Sequence, residues 1–242
     1  YKSKDQLTAL AESIVDMFKH PLTDNKQQYI DVELGIVEIK HGNLHADKLL
    51  QDATLALDSI DEKTNERICF YEEIMESAVV RQDKIEKALI SIIKNEDNNS
   101  LTLHFQPKWS LKENCLIGFE SLARLNVEGL GNISPIEFID IAEKRMLIYD
   151  LGKQILHKAC KFIKKLNNMG YHDIKVSVNI SVIQLLRDEF VQDLIEIIES
   201  SEIDKRSLIL EITESIIMEN FDLINEKLQA IKKSGISISL DD

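Results

Sequence analysis

Ile174-Lys-Val-Ser-Val-Asn-Ile180 and Ile236-Ser-Ile-Ser-Leu-Asp-Asp242 follow one pattern. Side chains alternate along a strand, so Ile174, Val176, Val178 and Ile180 take one face while Lys175, Ser177 and Asn179 take the other. In the second run Ile236, Ile238 and Leu240 oppose Ser237, Ser239 and Asp241. Between these runs Ser207, Ile209 and Glu211 share a face, and further upstream Gly118, Glu120, Leu122 and Arg124 do so. Each strand thus has a small or polar second side, with an oxygen-bearing group at or near its C-terminal end.

Working outward, the chain after Ser100 alternates strand and helix signals, which is the pattern of parallel βα units and an α/β fold. The spacing predicts strands over Leu101–Gln106, Leu116–Leu125, Ile174–Ile180, Leu208–Ile212 and Ile236–Leu240. Helices are expected over Ser134–Glu143, Leu151–Asn168, Phe190–Ser200 and Phe221–Ser234, with Gly170 and Gly235 placed for left-handed caps. Parallel α/β barrels build active sites at the C-terminal ends of their strands from single residues of many strands. Glu120, Asn179, Glu211 and Asp241 are expected to converge there, with Asp242 at the turn. Carboxylates plus an amide oxygen, with no thiolate or histidine partner, suit a hard cation such as Mg²⁺ or Mn²⁺. Taken singly, each acidic residue reads as a solvated group or a helix cap, and Glu214 as a favourable charge at a helix N-terminus. Recurrence at successive strand ends is what argues for a site. His104, His157 and His172 stand singly and read as structural.

Before Ser100 the chain reads as a smaller α+β unit. Leu7, Leu10, Ile14 and Met17 mark a helix that Pro21 ends, and Ile30, Val32, Leu34 and Ile36 alternate as a strand. Leu49, Leu50, Ala53 and Leu57 mark a second helix, and Arg67–Tyr71 a short strand. A helical connector runs from Glu72 to Asn95, with Ile85, Leu89, Ile92 and Ile93 in one stripe. That stripe either packs on its own domains or transmits orientation between them. The polar run Glu96-Asp-Asn-Asn-Ser100 is the expected domain boundary.

The whole chain of 242 residues carries 42 Asp and Glu against 29 Lys and Arg, a formal charge of −13. That balance excludes a protein that grips long nucleic acid through its phosphates. Cys69, Cys115 and Cys160 lie far apart and read as buried or incidental thiols of a reducing compartment. No apolar run approaches the roughly 20 residues that cross a bilayer, and no secretory leader opens the chain, so a cytoplasmic location is expected. Tyr1 at the start and two aspartates closing a strand at the end read as cuts within something longer.

Phe105-Gln-Pro107, Glu120-Ser-Leu122 with Arg124, Ser134-Pro135 with Phe138, Ala142-Glu143, Val178-Asn-Ile-Ser181, Glu211-Ile-Thr-Glu214 and Leu240-Asp-Asp242 stand in the order and spacing of an EAL domain. From about Leu101 to Asp242 the chain resembles the N-terminal part of that family, a TIM-barrel-like fold with one reversed strand. Residues 1–76 resemble the C-terminal part of a GGDEF domain through Val32-Glu-Leu-Gly-Ile36, Ala46–Leu57 and Glu66–Tyr71, with 77–100 as connector. The GGDEF signature itself is absent.

The resemblance implies a bacterial signalling enzyme that hydrolyses cyclic di-GMP to linear pGpG with two divalent metals, Mg²⁺ or Mn²⁺, and a homodimer formed through the EAL domain. It implies that Glu120, Asn179, Glu211, Asp241 and Asp242 bind metal, that Glu120 and Glu214 serve catalysis, and that Gln106 and Arg124 line the substrate site. The alternative is a non-catalytic module that binds cyclic di-GMP or a protein. Glu-Ser-Leu replaces the family's Glu-Ala-Leu. Ala123 and Leu125 replace a larger apolar residue and an aromatic, changes expected to bear on guanine packing more than on metal binding. The family's catalytic Lys and its later Glu and Gln positions are not among these residues. A dianionic substrate facing carboxylates needs cations first, since like unit charges 4 Å apart repel by about 4 kcal/mol at an effective dielectric near 20.

Overall fold

The polar break at 96–100 is not where the structure divides. The computed structural model describes residues 4–19, 30–39, 45–60, 66–97, 99–213 and 221–241, and it separates into two units, Tyr1–Arg81 and Gln82–Asp242. The division falls inside a helix.

In the first unit α1 (Lys4–Met17) precedes β1 (Leu34–Ile36), α2 (Ala46–Asp58) and β2 (Ile68–Phe70), after which α3 (Glu73–Ile93) begins. Pro21 lies outside the described residues. Alternation from Ile30 predicts a longer strand than the one found, because β2 offers only three partners, from Leu34↔Ile68 to Ile36↔Phe70 in parallel register. Helix α2 lies close on β1 at Gly35, where a Cβ would come within 2.2 Å of the Ala53 carbonyl oxygen. Asp52, buried on α2, is paired 2.8 Å from Lys48, which also reaches Glu76.

The second unit starts with the last turns of α3, whose Ile85, Leu89 and Ile92 are buried in that unit's core. Then come β3 (Leu101–Ser110), β4 (Cys115–Val127), β5 (Gly131–Ile133), α4 (Pro135–Lys144), α5 (Ile148–Asn168) and β6 (Lys175–Asn179). Helices α6 (Val182–Leu185) and α7 (Phe190–Ser200), β7 (Leu208–Thr213), α8 (Phe221–Ser234) and β8 (Ser237–Asp241) complete it. The sheet order is β3-β4-β6-β7-β8, with β5 pairing the far end of β4. β3 runs antiparallel to β4, and β4, β6, β7 and β8 are mutually parallel. Among the described residues this sheet is open, with β3 and β8 at its edges.

Helix α5 packs against α4 and α7, and α7 against α8, so the helices form one layer. Val176, Val178, Leu208 and Leu210 are buried beneath them, which is the apolar strand face read from alternation. One hydrogen bond ties the layer further. The Tyr149 hydroxyl donates to Asp193 at 2.8 Å, and burial raises its pKa. Cys160, buried in α5, has its thiol pushed up to about 11 by desolvation. Cys115 is exposed and Cys69 half-buried.

Left-handed residues end the helices as expected at Gly170 (φ 90°) and Gly235 (φ 88°). After α5 the Tyr171 amide donates to the Leu166 carbonyl at 3.0 Å and the Gly170 amide to Asn167 at 3.0 Å, a Schellman cap. Helix α4 closes the same way, with Leu147 donating to Ala142 at 2.7 Å, yet its left-handed residue is Met146 (φ 58°). No helix among the described residues is long and apolar enough to cross a membrane.

Candidate metal and substrate site

Register places the expected residues on one face of the sheet. Glu120 pairs with Ser177, Asn179 with Glu211, and Glu211 with Ser239, while Asp241 stands opposite Thr213. Gln106 faces Glu120 across the antiparallel pair, and Arg124 faces Thr102. Paired residues share a face, so Gln106, Glu120, Arg124, Asn179, Glu211 and Asp241 lie on the side opposite the helix layer. Asn179 sits one pleat beyond the residue paired with Glu120, a diagonal neighbour. The Asn179 amide donates to the Glu120 carboxylate at 3.1 Å.

Glu211 is buried, its side chain 7% exposed, and it accepts a hydrogen bond from the ammonium of Lys108. Lys108 was not among the expected residues. Each described carboxylate of the site therefore has a donor: an amide at Glu120, an ammonium at Glu211. Arg124 donates to the carbonyl of Ala123 at 2.9 Å. Glu214, Asp242 and the Asp241 side chain lie outside the described residues. Among the described residues no group of three or more His, Cys, Asp and Glu side chains is gathered closely enough to hold a metal. What the strand ends present is two carboxylates and an amide oxygen, a donor set that suits a hard cation.

Behind Asn179 a second network fixes the strand end. The Ser181 amide donates to the Gln184 side-chain oxygen at 2.9 Å, and the Ser181 hydroxyl donates to Glu143. A cavity of about 410 Å³ lined by Glu143, Gly152, Asn179 and Gln184 adjoins it. Glu143 carries this tie, which pattern alone does not disclose.

Residues 123 and 125 correct one expectation. By parity they lie on the helix side; Leu125 is 1% exposed within the core, and Ala123 packs against it. The changes there bear on core packing.

Known proteins share the family and the fold of this chain. The chain is 28% identical over 237 residues to the signaling protein YkoW of Bacillus subtilis, covering 96% of this chain and 29% of that protein. It is 27% identical over 234 residues to the bifunctional diguanylate cyclase/cyclic di-GMP phosphodiesterase MucR of Pseudomonas aeruginosa, covering 96% of this chain and 34% of MucR. The chain thus spans about a third of these relatives. Among solved structures, the PaMucR phosphodiesterase in complex with c-di-GMP superposes with a TM-score of 0.61 at 30% identity, covering 65% of this chain and 63% of that one. The EAL domain model matches residues 82–242, the range of the second unit, and the chain belongs to the EAL domain family.

Proposed function

We propose that the protein carrying this chain is a metal-dependent phosphodiesterase that hydrolyses cyclic di-GMP to linear pGpG in bacterial signalling. The observation that carries the reading is the gathering of Glu120, Asn179 and Glu211 at neighbouring strand ends of one sheet face, with Asp241 on the next strand. A phosphodiesterase complexed with c-di-GMP shares this fold, which supports the substrate.

Glu120, Asn179, Glu211, Asp241 and Asp242 would hold two ions of Mg²⁺ or Mn²⁺, with Glu214 steadying the loop after the paired aspartates. Bound there, the cations would neutralise the diester and activate water for in-line displacement. The chain's own part is positional. Strand register fixes the spacing of the oxygens, and Gln106 and Arg124 share the face on which the dinucleotide would lie. Residues 1–76 derive from the C-terminal part of a GGDEF domain in this reading; the bifunctional MucR aligns over 96% of the chain, which supports it. A homodimer through the EAL domain completes the proposal.

The test is direct. Protein carrying this chain, incubated with cyclic di-GMP and Mn²⁺, should release pGpG, stop on addition of EDTA, and lose turnover in Glu120→Ala with its helical circular dichroism retained. Tight binding of intact dinucleotide without product would favour a binding module over an enzyme. Unchanged turnover in Glu120→Ala would remove the ligand assignment.

A further inference from the structure

We propose that Lys108 is a built-in counter-ion for Glu211: it holds the carboxylate while no divalent cation is bound and surrenders it when one binds. The inference rests on the reading of Glu211 as a metal ligand and adds a residue to which that reading gives no role.

The two partners are unequal. Glu211 is 7% exposed and its neighbours on β6 and β8 are Asn179 and Ser239, so its negative charge needs a cation or strong donors. Lys108 is 37% exposed, on a flexible stem, and its ammonium reaches water without rearrangement of the backbone. The carboxylate cannot do without a partner; the lysine can. An ammonium and a dication cannot share one carboxylate without repulsion, so occupancy by one excludes the other.

The fold also supplies a place for the released ammonium. Lys108 stands opposite Gly118, towards the N-terminal end of the parallel strands, and lines a cavity of about 480 Å³. Glu113 and Asp173 line the same cavity together with Lys175, so the released ammonium meets two carboxylates against one further ammonium there. Exchange of this kind lowers apparent metal affinity by the fraction of molecules in which Glu211 is free. It also keeps a buried carboxylate in place before the metal arrives.

The experiment titrates the EDTA-stripped chain with Mn²⁺, following free Mn²⁺ by electron paramagnetic resonance, and records thermal melts without metal. Lys108→Met keeps the stem and removes the charge. It should bind Mn²⁺ about tenfold more tightly than wild type if the ion pair occupies Glu211 about nine-tenths of the time, and it should melt lower when metal-free, with Mn²⁺ restoring the difference. Lys108→Arg, which grips a carboxylate with two parallel donors, should weaken Mn²⁺ binding several-fold. A lysine that merely supports the fold would lower stability without tightening metal. Should Lys108→Met fail to fold, Lys108→Arg decides: weaker binding than wild type supports the exchange, and equal or tighter binding overturns it. Mn²⁺ affinity in Lys108→Met equal to or below wild type, with Glu211→Gln still losing the metal, would overturn the counter-ion role and leave the ligand reading standing. Absence of Mn²⁺ binding in both wild type and Lys108→Met would overturn both.

Discussion

Substituting Gly152 by Ala sets two quantifiable effects against each other at the foot of the site. Gly152 is buried in α5, and a Cβ built there would stand 1.6 Å from the Gln184 side-chain nitrogen and 2.8 Å from its Cδ. Gly to Ala in a helix interior is favourable by about 1 kcal/mol. Against this, Gln184 is 3% exposed and must move, giving up the hydrogen bond its oxygen accepts from the Ser181 amide. A buried donor left unpaired costs about 1–3 kcal/mol, and overpacking a filled position a further 1–3 kcal/mol or so. The net expectation is a destabilisation of about 1–5 kcal/mol, a large share of the roughly 5–15 kcal/mol that holds a domain together. Urea denaturation followed at 222 nm should show a lowered midpoint with an unchanged slope. The cause is separable from general crowding. With Gln184→Ala the obstructing amide is gone, and Gly152→Ala added to that background should be neutral or stabilising. Equal penalties in the two backgrounds, or a Gly152→Ala protein as stable as wild type, would refute the seating of Gln184 in a glycine notch.

Other substitutions test helix ends. Met146 is left-handed and 58% exposed, so Met146→Gly relieves backbone strain at little packing cost and should stabilise the chain by about 0.5–1 kcal/mol, read as a raised urea midpoint; a lowered midpoint would mean that the methionine side chain contributes more than its conformation costs. Lys227, 9% exposed on α8, donates to the carbonyls of Leu186 at 3.1 Å and of Arg187 beyond α6. Lys227→Met should cost about 1–3 kcal/mol in the same assay by stranding those carbonyls, and a stabilised variant would show that burying the charge outweighed its hydrogen bonds.

Much of the site face was legible because period two is a geometric consequence of the strand backbone. The groupings around Glu120, Asn179, Glu211 and Asp241 follow from counting, and the ladder registers place them together. Lys108 escaped the count for a specific reason. The strand was expected over Leu101–Gln106 only; among the described residues β3 is an edge strand, where a proline that cannot donate to a ladder is tolerated, and pairing runs on through Pro107 to Ser110. Continuing the alternation through Pro107 puts Lys108 on the face of Gln106. In the first unit, alternation from Ile30 overstated the strand because a pattern describes one strand and pairing needs two. Gly152 carried no signal at all, since its reason lies in a side chain more than thirty residues away.

The departures from the family motif around Glu120 follow the same parity. Residues 120, 122 and 124 lie on the site face, whereas 121, 123 and 125 lie beneath the helices. Ser121 in place of Ala adds a hydroxyl to a buried position, which without a partner would cost about 1–3 kcal/mol. It has one: the hydroxyl donates to the Ser177 carbonyl at 2.7 Å, across from β4 to β6. A carbonyl has a second lone pair to offer, so the bond does not compete with the ladder. It fastens β4 to β6 between Glu120 on the first strand and Asn179 on the second, the two residues whose side chains are themselves bonded at 3.1 Å. Leu125 fills the core where the family has an aromatic, and Ala123 packs beside it. All three changes are thus absorbed on the buried side, and none of them falls on the face that carries Glu120 and Arg124.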